Sequence, residues 1–194
     1  STNNKKIYEI YKKKINHGTV LQKKSSNKFI YNKDSFGTNL RITEIQSMAG
    51  LEQLKNLKKI QEKREKMSKN YFDIISRHKT YINCYMPPPG IKSAWYRFYF
   101  FLNSNIKSYQ KIRFKIINDL KRKNVRCFTG ACPEIYLEKA FKKLKKTNFK
   151  RLKNCKMLGN TSLALDVNHT LTIQQHKNEL FKIEKILDKV FKKI

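Results

Sequence analysis

The sequence is poor in acidic residues, glycine and proline. Its 194 residues include 14 Asp and Glu against 44 Lys and Arg, 6 glycines and 4 prolines. It contains no glycine-rich phosphate loop, no Ser–His–Asp pattern and no pair of carboxylates placed for acid–base work in a polar cleft. It also lacks an apolar run long enough to cross a bilayer, and no signal-peptide pattern begins at Ser1. We therefore expect no membrane partner and a reducing, cytoplasmic location.

Cysteine is also scarce, which excludes the common zinc motifs. The 4 cysteines are Cys84, Cys127, Cys132 and Cys155. None forms a C-x-x-C pair, and no histidine lies at a zinc-like spacing from them. The sequence therefore predicts no metal site, and it favours reduced, packed thiols at Cys127 and Cys132.

Positive charge is the most abundant feature, with a formal net charge of +30. Such a charge is typical of proteins that bind nucleic acid or an anionic membrane. However, the cations are mostly lysine, and arginine, the better reader of bases and phosphates, is scarce. Asparagine and isoleucine are abundant too, which favours a codon bias and disfavours nucleic acid as a partner. A basic nucleic-acid-binding or ribosome-associated protein is kept as the alternative function.

Hydrophobic periodicity predicts alternating helices and strands. The hydrophobic content of 39% and aromatic content of 12% suffice for a core. Capping boxes begin two helices, at Thr43-x-x-Gln46 and Thr172-x-x-Gln175. The pattern is typical of a small α/β domain in which helices pack on a short sheet. The predicted helices are 5–15, 43–75, 108–123, 133–145, 152–158 and the C-terminal segment from 172, and the extended segments are 81–86, 94–102, 125–129 and 162–167.

The helix from Thr43 is the clearest of these and is longer than a single domain is wide. Apolar residues recur along it at steps of three and four, from Ile45 to Ile60, and Gly50 interrupts it. That glycine indicates either close approach of another backbone or tolerated slack. Before the helix, residues 19–40 form a long polar connection, for which we expect a functional loop or a short β-excursion.

Four segments, taken in order, resemble the DegT–StrS family of aminotransferases. They are the run ending INHG (residues 15–18), GTNLRITEIQSMAGLEQLKNL (37–57), CFTGACPEIYLEKAF (127–141) and MLGNTSLALDVNHTLT (157–172). The resemblance covers nearly the whole chain. It implies the small C-terminal domain of a fold-type I aminotransferase that uses pyridoxal phosphate (PLP) to aminate nucleotide-linked keto sugars.

The resemblance also implies a domain organisation. Residues 1–42 would be the tail of the large PLP-binding domain with an interface loop, 43–80 a connecting helix, and 81–194 the small α/β domain. In the family, the lysine that forms a Schiff base with PLP precedes the first of these segments. We therefore expect a C-terminal half that is inactive alone and belongs to a homodimer. The other half would supply the lysine, the aspartate facing the pyridine nitrogen and the ring-stacking residue. The amino donor would be an amino acid such as glutamate.

Four residues take site roles by this resemblance. Asn39 would reach across the dimer interface to the PLP phosphate of the neighbouring subunit, and Arg41 would assist. His17 would lie near the mouth of the active site, and Asn168 occupies the place of a substrate-contacting histidine. Structural roles remain open for Asn39 and His17: an Asx-turn before the Thr43 cap, and a partner for a helix dipole. Thr38 departs from the aromatic residue usual in the family, which removes a ring contact.

Overall fold

The computed structural model describes residues 2–23, 29–33, 35–142 and 150–194. The chain divides into two compact units, Ser1–Asn56 and Leu57–Ile194, and the boundary falls inside the longest helix. The elements in chain order are α1 (Lys5–Lys14), β1 (Thr19–Lys23), β2 (Phe29–Lys33), α2 (Glu44–Ile75), β3 (Ile82–Cys84), β4 (Arg97–Leu102), α3 (Tyr109–Arg122), β5 (Cys127–Phe128), α4 (Lys139–Lys142), α5 (Lys153–Thr161), β6 (Ser162–Asp166) and α6 (Ile173–Phe191).

The first unit begins with α1 and an antiparallel hairpin. Asn4 caps α1 because its side-chain oxygen accepts from the Ile7 amide at 3.2 Å. Strands β1 and β2 then pair from Thr19↔Lys33 to Lys23↔Phe29. The expected short β-excursion within residues 19–40 is thus confirmed.

Helix α2 begins at the predicted capping box. The Gln46 amide donates to the Thr43 hydroxyl at 3.3 Å, and the Thr43 amide donates to the Gln46 side-chain oxygen at 3.1 Å. Among the described residues, nothing lies within 4 Å of a Cβ built on Gly50. This glycine is therefore not required by the close approach of another backbone, and the helix merely tolerates it. The apolar side chains of this part of the helix are exposed, 81% at Ile45 and 72% at Met48. They therefore form no core within the first unit.

The second unit is built on a four-stranded antiparallel sheet with the order β3-β4-β6-β5. Side chains alternate across β4: Phe98 and Phe100 are fully buried, whereas Tyr99 is 37% exposed. The buried face joins Leu163 and Leu165 of β6 in one core with the C-terminal end of α2, with α3 and with α6. This is the short sheet with helices packed on it that the sequence predicts.

The segment after β5 departs most from its prediction. Residues 133–145 were expected to be one helix, but a 3-10 turn (Ile135–Leu137) is followed by an extended Glu138 and the single turn α4. The Glu134 carboxylate accepts from Arg151 Nε and a terminal nitrogen, both at 3.0 Å, and from the Tyr136 hydroxyl at 2.9 Å. The bonds to Arg151, 17 residues away in the chain, hold Glu134 in a non-helical backbone where the local signal favours a helix. Residues 143–149, which include the end of that expected helix, lie outside the described residues.

Three other details differ from the sequence pattern, which predicts Ser108 as the N-cap of α3, Ile173 on the apolar stripe of α6 and a packed Cys132. Ser108 occupies the N-cap position of α3, but its φ is 60° and its side chain caps no amide. Ile173 is 74% exposed and lies off the buried stripe of α6. Cys127 is buried, as expected, and burial raises the pKa of its thiol to about 12. Cys132 is exposed and donates to the Glu138 carboxylate at 3.2 Å, so its expected packing is wrong.

Two kinds of feature are absent from the described residues. None of the described helices is both long and apolar enough to cross a membrane. No group of three or more His, Cys, Asp or Glu side chains in the same ranges is arranged to hold a metal ion.

Candidate functional site

The INHG segment and the start of the GTNLR segment cross in the first unit. Asn16 and Asn39 form an antiparallel bridge. The His17 amide donates to Thr38 O at 3.2 Å, and the Thr38 amide donates to Lys14 O at 3.0 Å. Two stretches that the sequence analysis singled out separately are therefore held together by backbone hydrogen bonds.

Two glycines permit this crossing. A Cβ on Gly37 would lie 2.5 Å from both Gly18 N and Lys14 O. Gly18 has a φ of +70°, and a Cβ there would lie 1.6 Å from Ser35 O. Neither position has room for a side chain. Glycine is required in both motifs for the same reason, which is that two backbone segments are in direct contact there.

Asn39 lies at the crossing of the two segments, and its side chain is exposed. Its oxygen accepts from the Arg41 amide at 3.3 Å, which is the Asx-turn that the structural alternative anticipated. The turn uses only the oxygen. Among the described residues no group accepts from Asn39 Nδ2, so the amide retains two N–H donors. The Asx-turn and the phosphate-binding role are therefore compatible, because the turn uses the side-chain oxygen and phosphate binding would use the NH₂ group.

Arg41 follows Asn39 by two positions in the chain, and the His17 backbone bonds to Thr38, the residue before Asn39. Both side chains are exposed, and neither has an ion-pair partner among the described residues. His17 has a φ of 56° and follows the last residue of α1 by three positions. A phosphate beside Asn39 would meet neutral N–H donors and a guanidinium two residues away, which is chemistry that suits an anion. These residues fit the phosphate of PLP.

Asn168 belongs to the second unit, in the loop between β6 and α6. Its oxygen accepts from the Thr170 amide at 3.0 Å and from the Thr170 hydroxyl at 2.7 Å. Asn168 therefore forms a turn, and its NH₂ has no acceptor within the described ranges. The neighbouring His169 ring lies 3.4 Å from Arg64. Burial, followed by the charges of Arg64 and Lys63, lowers the pKa of His169.

Sequence reasoning missed the residues that hold this loop. Lys63 Nζ donates to Leu171 O at 2.7 Å across 108 residues of sequence. Arg64, one residue later, carries the contact to His169. Both belong to the charged second half of α2, where the many lysine and arginine residues indicate only a solvent-exposed helix face. Only their tertiary contacts with the loop before α6 identify them as supports of that loop.

A buried polar cluster also escaped the sequence analysis. The Tyr71 hydroxyl donates to the Glu179 carboxylate at 2.6 Å, and the His176 ring lies against Tyr71 with centroids 5.2 Å apart. Ser68 Oγ and His176 Nε2 are buried without a hydrogen-bond partner in the described structure. No local pattern marks this cluster, because Tyr71 and Glu179 are 108 positions apart in the chain.

The CFTGACPE segment is held against the sheet by a buried arginine. Arg113 donates to Ser162 O at 2.8 Å and to Thr129 O at 2.7 Å. Gly130 has a φ of +88°, and a Cβ there would lie 2.9 Å from Ser162 Oγ. The segment therefore approaches β6 closely at Gly130, and Arg113 donates to one carbonyl oxygen on each side of this approach.

Comparison with known proteins agrees with this architecture. The sequence pattern of the DegT/DnrJ/EryC1/StrS aminotransferase family matches residues 1–180. No curated protein matches the chain significantly.

Among solved structures, an aminotransferase from Psychrobacter cryohalolentis is 28% identical, with a TM-score of 0.80 over 100% of this chain and 51% of its own. Helicobacter pylori PseC, an aminotransferase involved in the biosynthesis of pseudoaminic acid, is 23% identical, with a TM-score of 0.79 over 97% and 48%. The putative sugar aminotransferase Spr1654 from Streptococcus pneumoniae, in its PLP form, is 14% identical, with a TM-score of 0.77 over 97% and 45%. The chain thus spans about half the length of the proteins that it resembles.

Proposed function

The chain belongs to the DegT/DnrJ/EryC1/StrS aminotransferase family, and from this premise we propose that it is the C-terminal portion of a PLP-dependent sugar aminotransferase. The complete cytoplasmic enzyme transfers an amino group from an amino acid, such as glutamate, to the keto group of a nucleotide-linked sugar. Its product serves the biosynthesis of amino sugars or cell-surface polysaccharides. The family match over residues 1–180 carries this proposal. The fold of the second unit and its likeness to sugar aminotransferases support it.

In this proposal, Asn39 serves the cofactor of the neighbouring subunit. PLP, when bound, supplies the electron sink for amino transfer. Asn39 Nδ2 donates to its phosphate, and Arg41 adds a charged donor. The exposed position of this amide, together with its unused donors, supports the assignment. The lysine that carries the cofactor comes from a segment outside these 194 residues, so the chain alone performs no transamination.

His17 and Asn168 take lesser roles in substrate binding. Asn168 is held by Thr170, which leaves its NH₂ available to a substrate hydroxyl or keto oxygen. His17 offers an exposed ring beside the crossing of the two motifs. We expect substitution of either residue to raise the KM for the sugar substrate more than it lowers kcat.

A complementation experiment tests the proposed role of Asn39. In the longer polypeptide, one variant carries Asn39→Ala and a second lacks the cofactor-binding lysine. If Asn39 serves the partner subunit, mixed dimers contain one intact site, and random mixing restores roughly a quarter of the wild-type sites. If Asn39 serves its own subunit, every site in a mixed dimer lacks one group. Mixed dimers without activity would therefore reject the role across the interface.

The exposed apolar side chains of α2 support a homodimer. Ile45, Met48, Leu51 and Leu54 are each more than 60% exposed, an arrangement that a stable soluble surface avoids. We propose that the rest of the enzyme and the second subunit cover them. Expressed alone, the chain is expected to self-associate, and a clean monomer in sedimentation velocity at high micromolar concentration would contradict this.

A groove between α3 and α6 favours a second candidate, the binding of a polyanion. Its lining includes the exposed Phe181 and the cations Lys115, Arg122, Lys123, Lys182, Lys185 and Lys189, around a volume of about 680 Å³. Binding of RNA in such a groove weakens steeply with salt. Filter binding at low and near-physiological salt separates the two functions, because the aminotransferase proposal expects no retained RNA at the higher salt.

A further inference from the structure

A recess of about 320 Å³ lies on the second unit, beside the edge of the sheet. Asn83 and Tyr85 line it from β3 and the residues that follow, Asn103 and Asn105 from the turn after β4, and Met157 from α5. Its volume is at the lower end of the range for small-molecule sites. It is therefore large enough for a ligand of monosaccharide size.

The recess is uncharged, although the chain is not. Charged residues make up 30% of the sequence. None of the residues lining this recess carries a charge, and all of them lie in the described part of the chain. The groove between α3 and α6 is rich in lysine, as the whole chain is, whereas this recess has no charged lining residue. An ionic ligand therefore finds no counter-charge in its lining.

The polar groups of the recess are already ordered. Asn83 Nδ2 donates to Asn103 Oδ1, and Asn103 Nδ2 donates to Thr80 O at 2.7 Å. This chain of bonds fixes which end of each amide is oxygen, and it leaves Asn83 Oδ1 as an acceptor. The side chains of Ser104 and Asn105 form no hydrogen bonds with other described residues. The lining thus presents both donors and acceptors that have no internal partner.

Apolar surface flanks these amides. Tyr85 is 69% exposed, Met157 44% and Leu158 46%. An exposed aromatic ring beside amides that keep unused donors and acceptors is a combination suited to a sugar, whose C–H faces pack on rings while its hydroxyls both donate and accept. A purely apolar ligand would cover the remaining polar atoms of these amides without giving them hydrogen-bond partners, which disfavours such a ligand.

We propose that this recess binds a neutral pyranose sugar, with Tyr85 as the packing surface and Asn83, Ser104 and Asn105 as the hydroxyl partners. The proposal goes beyond the amino transfer proposed above and does not depend on it. It holds equally for a free sugar and for the glycosyl part of a larger molecule.

Saturation-transfer NMR on the full chain tests this inference, with glucose and N-acetylglucosamine as probes and glycerol as the small-polyol reference. We expect saturable transfer to at least one sugar, with a Kd that changes less than about twofold between low and high salt, because no ion pair is involved. Tyr85→Ala and Asn105→Ala each should weaken binding roughly threefold to tenfold, the loss of one ordinary contact. Tyr96→Ala is the matched control, since Tyr96 is 67% exposed and does not line the recess.

Three results would overturn the proposal. One is the absence of saturable transfer to either sugar while circular dichroism shows a folded chain. Another is equal weakening by Tyr85→Ala and Tyr96→Ala. The third is sugar binding that is lost at high salt, which would assign the ligand contacts to charged groups and not to the neutral lining of the recess.

Discussion

Replacing Tyr71 by phenylalanine removes a buried hydroxyl whose short bond is to Glu179 and whose second, longer contact is Asp166 O at 3.4 Å. The Tyr71 side chain is fully buried, and its hydroxyl donates to the Glu179 carboxylate at 2.6 Å. Phenylalanine keeps the ring contacts with Phe98 and His176, whose centroids lie 5.9 and 5.2 Å away. The substitution therefore removes the hydroxyl without opening a large cavity, and it leaves the carboxylate with His176 Nδ1, at 3.5 Å, as its remaining neighbour.

The expected cost follows from the charge of the acceptor. A hydrogen bond to a charged group contributes about 1.5–3 kcal/mol, more than a bond between neutral groups. We therefore expect Tyr71→Phe to lower the free energy of unfolding by about 2 kcal/mol, which lowers the urea midpoint by about 1 M. Tyr81→Phe is the control, because Tyr81 stacks on Phe191 with centroids 4.7 Å apart and its hydroxyl has no partner among the described residues. It should change the free energy by less than about 0.5 kcal/mol.

The fluorescence of Trp95 reports this unfolding directly. The chain has 1 tryptophan, and Trp95 is 8% exposed, stacked on Phe98 in the core that contains Tyr71. A urea titration of wild type and both variants gives the differences in the free energy of unfolding. If Tyr71→Phe and Tyr81→Phe lose equally little, the bond to Glu179 contributes nothing, and the reasoning is refuted.

The pairing of Tyr71 with Glu179 also predicts how the free energy of unfolding changes at alkaline pH. Burial and then the Glu179 carboxylate raise the pKa of Tyr71 above its ordinary value of 10.0. The folded chain keeps a proton that the unfolded chain loses, so stability falls as pH rises through 10.0. Tyr71→Phe should lose less stability than wild type between pH 9 and 11, as measured by the same urea titration.

Three further expectations follow from single residues. Burial lowers the pKa values of His78 and His169 below 6.5, so the unfolded chain binds more protons than the folded chain near that pH. The free energy of unfolding from urea titrations should therefore fall as pH drops from about 7 to 5. An increase over this range would contradict the shifts. Cys127, with a thiol pKa of about 12, should resist alkylation at pH 8 until urea unfolds the chain; modification at the rate of an exposed thiol would contradict its burial. Gly159→Ala should destabilise, because its Cβ would lie 2.2 Å from a proline ring. Gly50→Ala, with nothing within 4 Å, should stabilise by about 0.5–1 kcal/mol; calorimetry that reverses this order would refute it.

The sequence predicted the features that depend on neighbouring residues. Both capping boxes, at Thr43 and Thr172, are present as expected, because each joins groups three residues apart. Strands β4 and β6 lie within their predicted runs because aromatic and aliphatic alternation is a local property. The family, too, was identified from motifs that are contiguous in the chain.

Predictions were wrong where distant partners compete with the local signal. A 3-10 turn replaces the helix predicted after Pro133, where Arg151 binds Glu134 from 17 residues away. Cys132, expected to be packed, is exposed. The apolar residues of α2 that indicated a packed face are exposed in this chain, because periodicity does not state which surface covers a helix.

The sequence by itself determined the family, the start of the two capped helices and the strand positions, since those depend on short-range spacing. Only the tertiary structure decided that the INHG and GTNLR segments cross, and that Asn39 keeps its amide donors while its oxygen closes a turn. It alone paired Tyr71 with Glu179 and gathered neutral amides around the recess. The physical reason is that these contacts join residues far apart in the chain, and their geometry exists only after the backbone has brought them together.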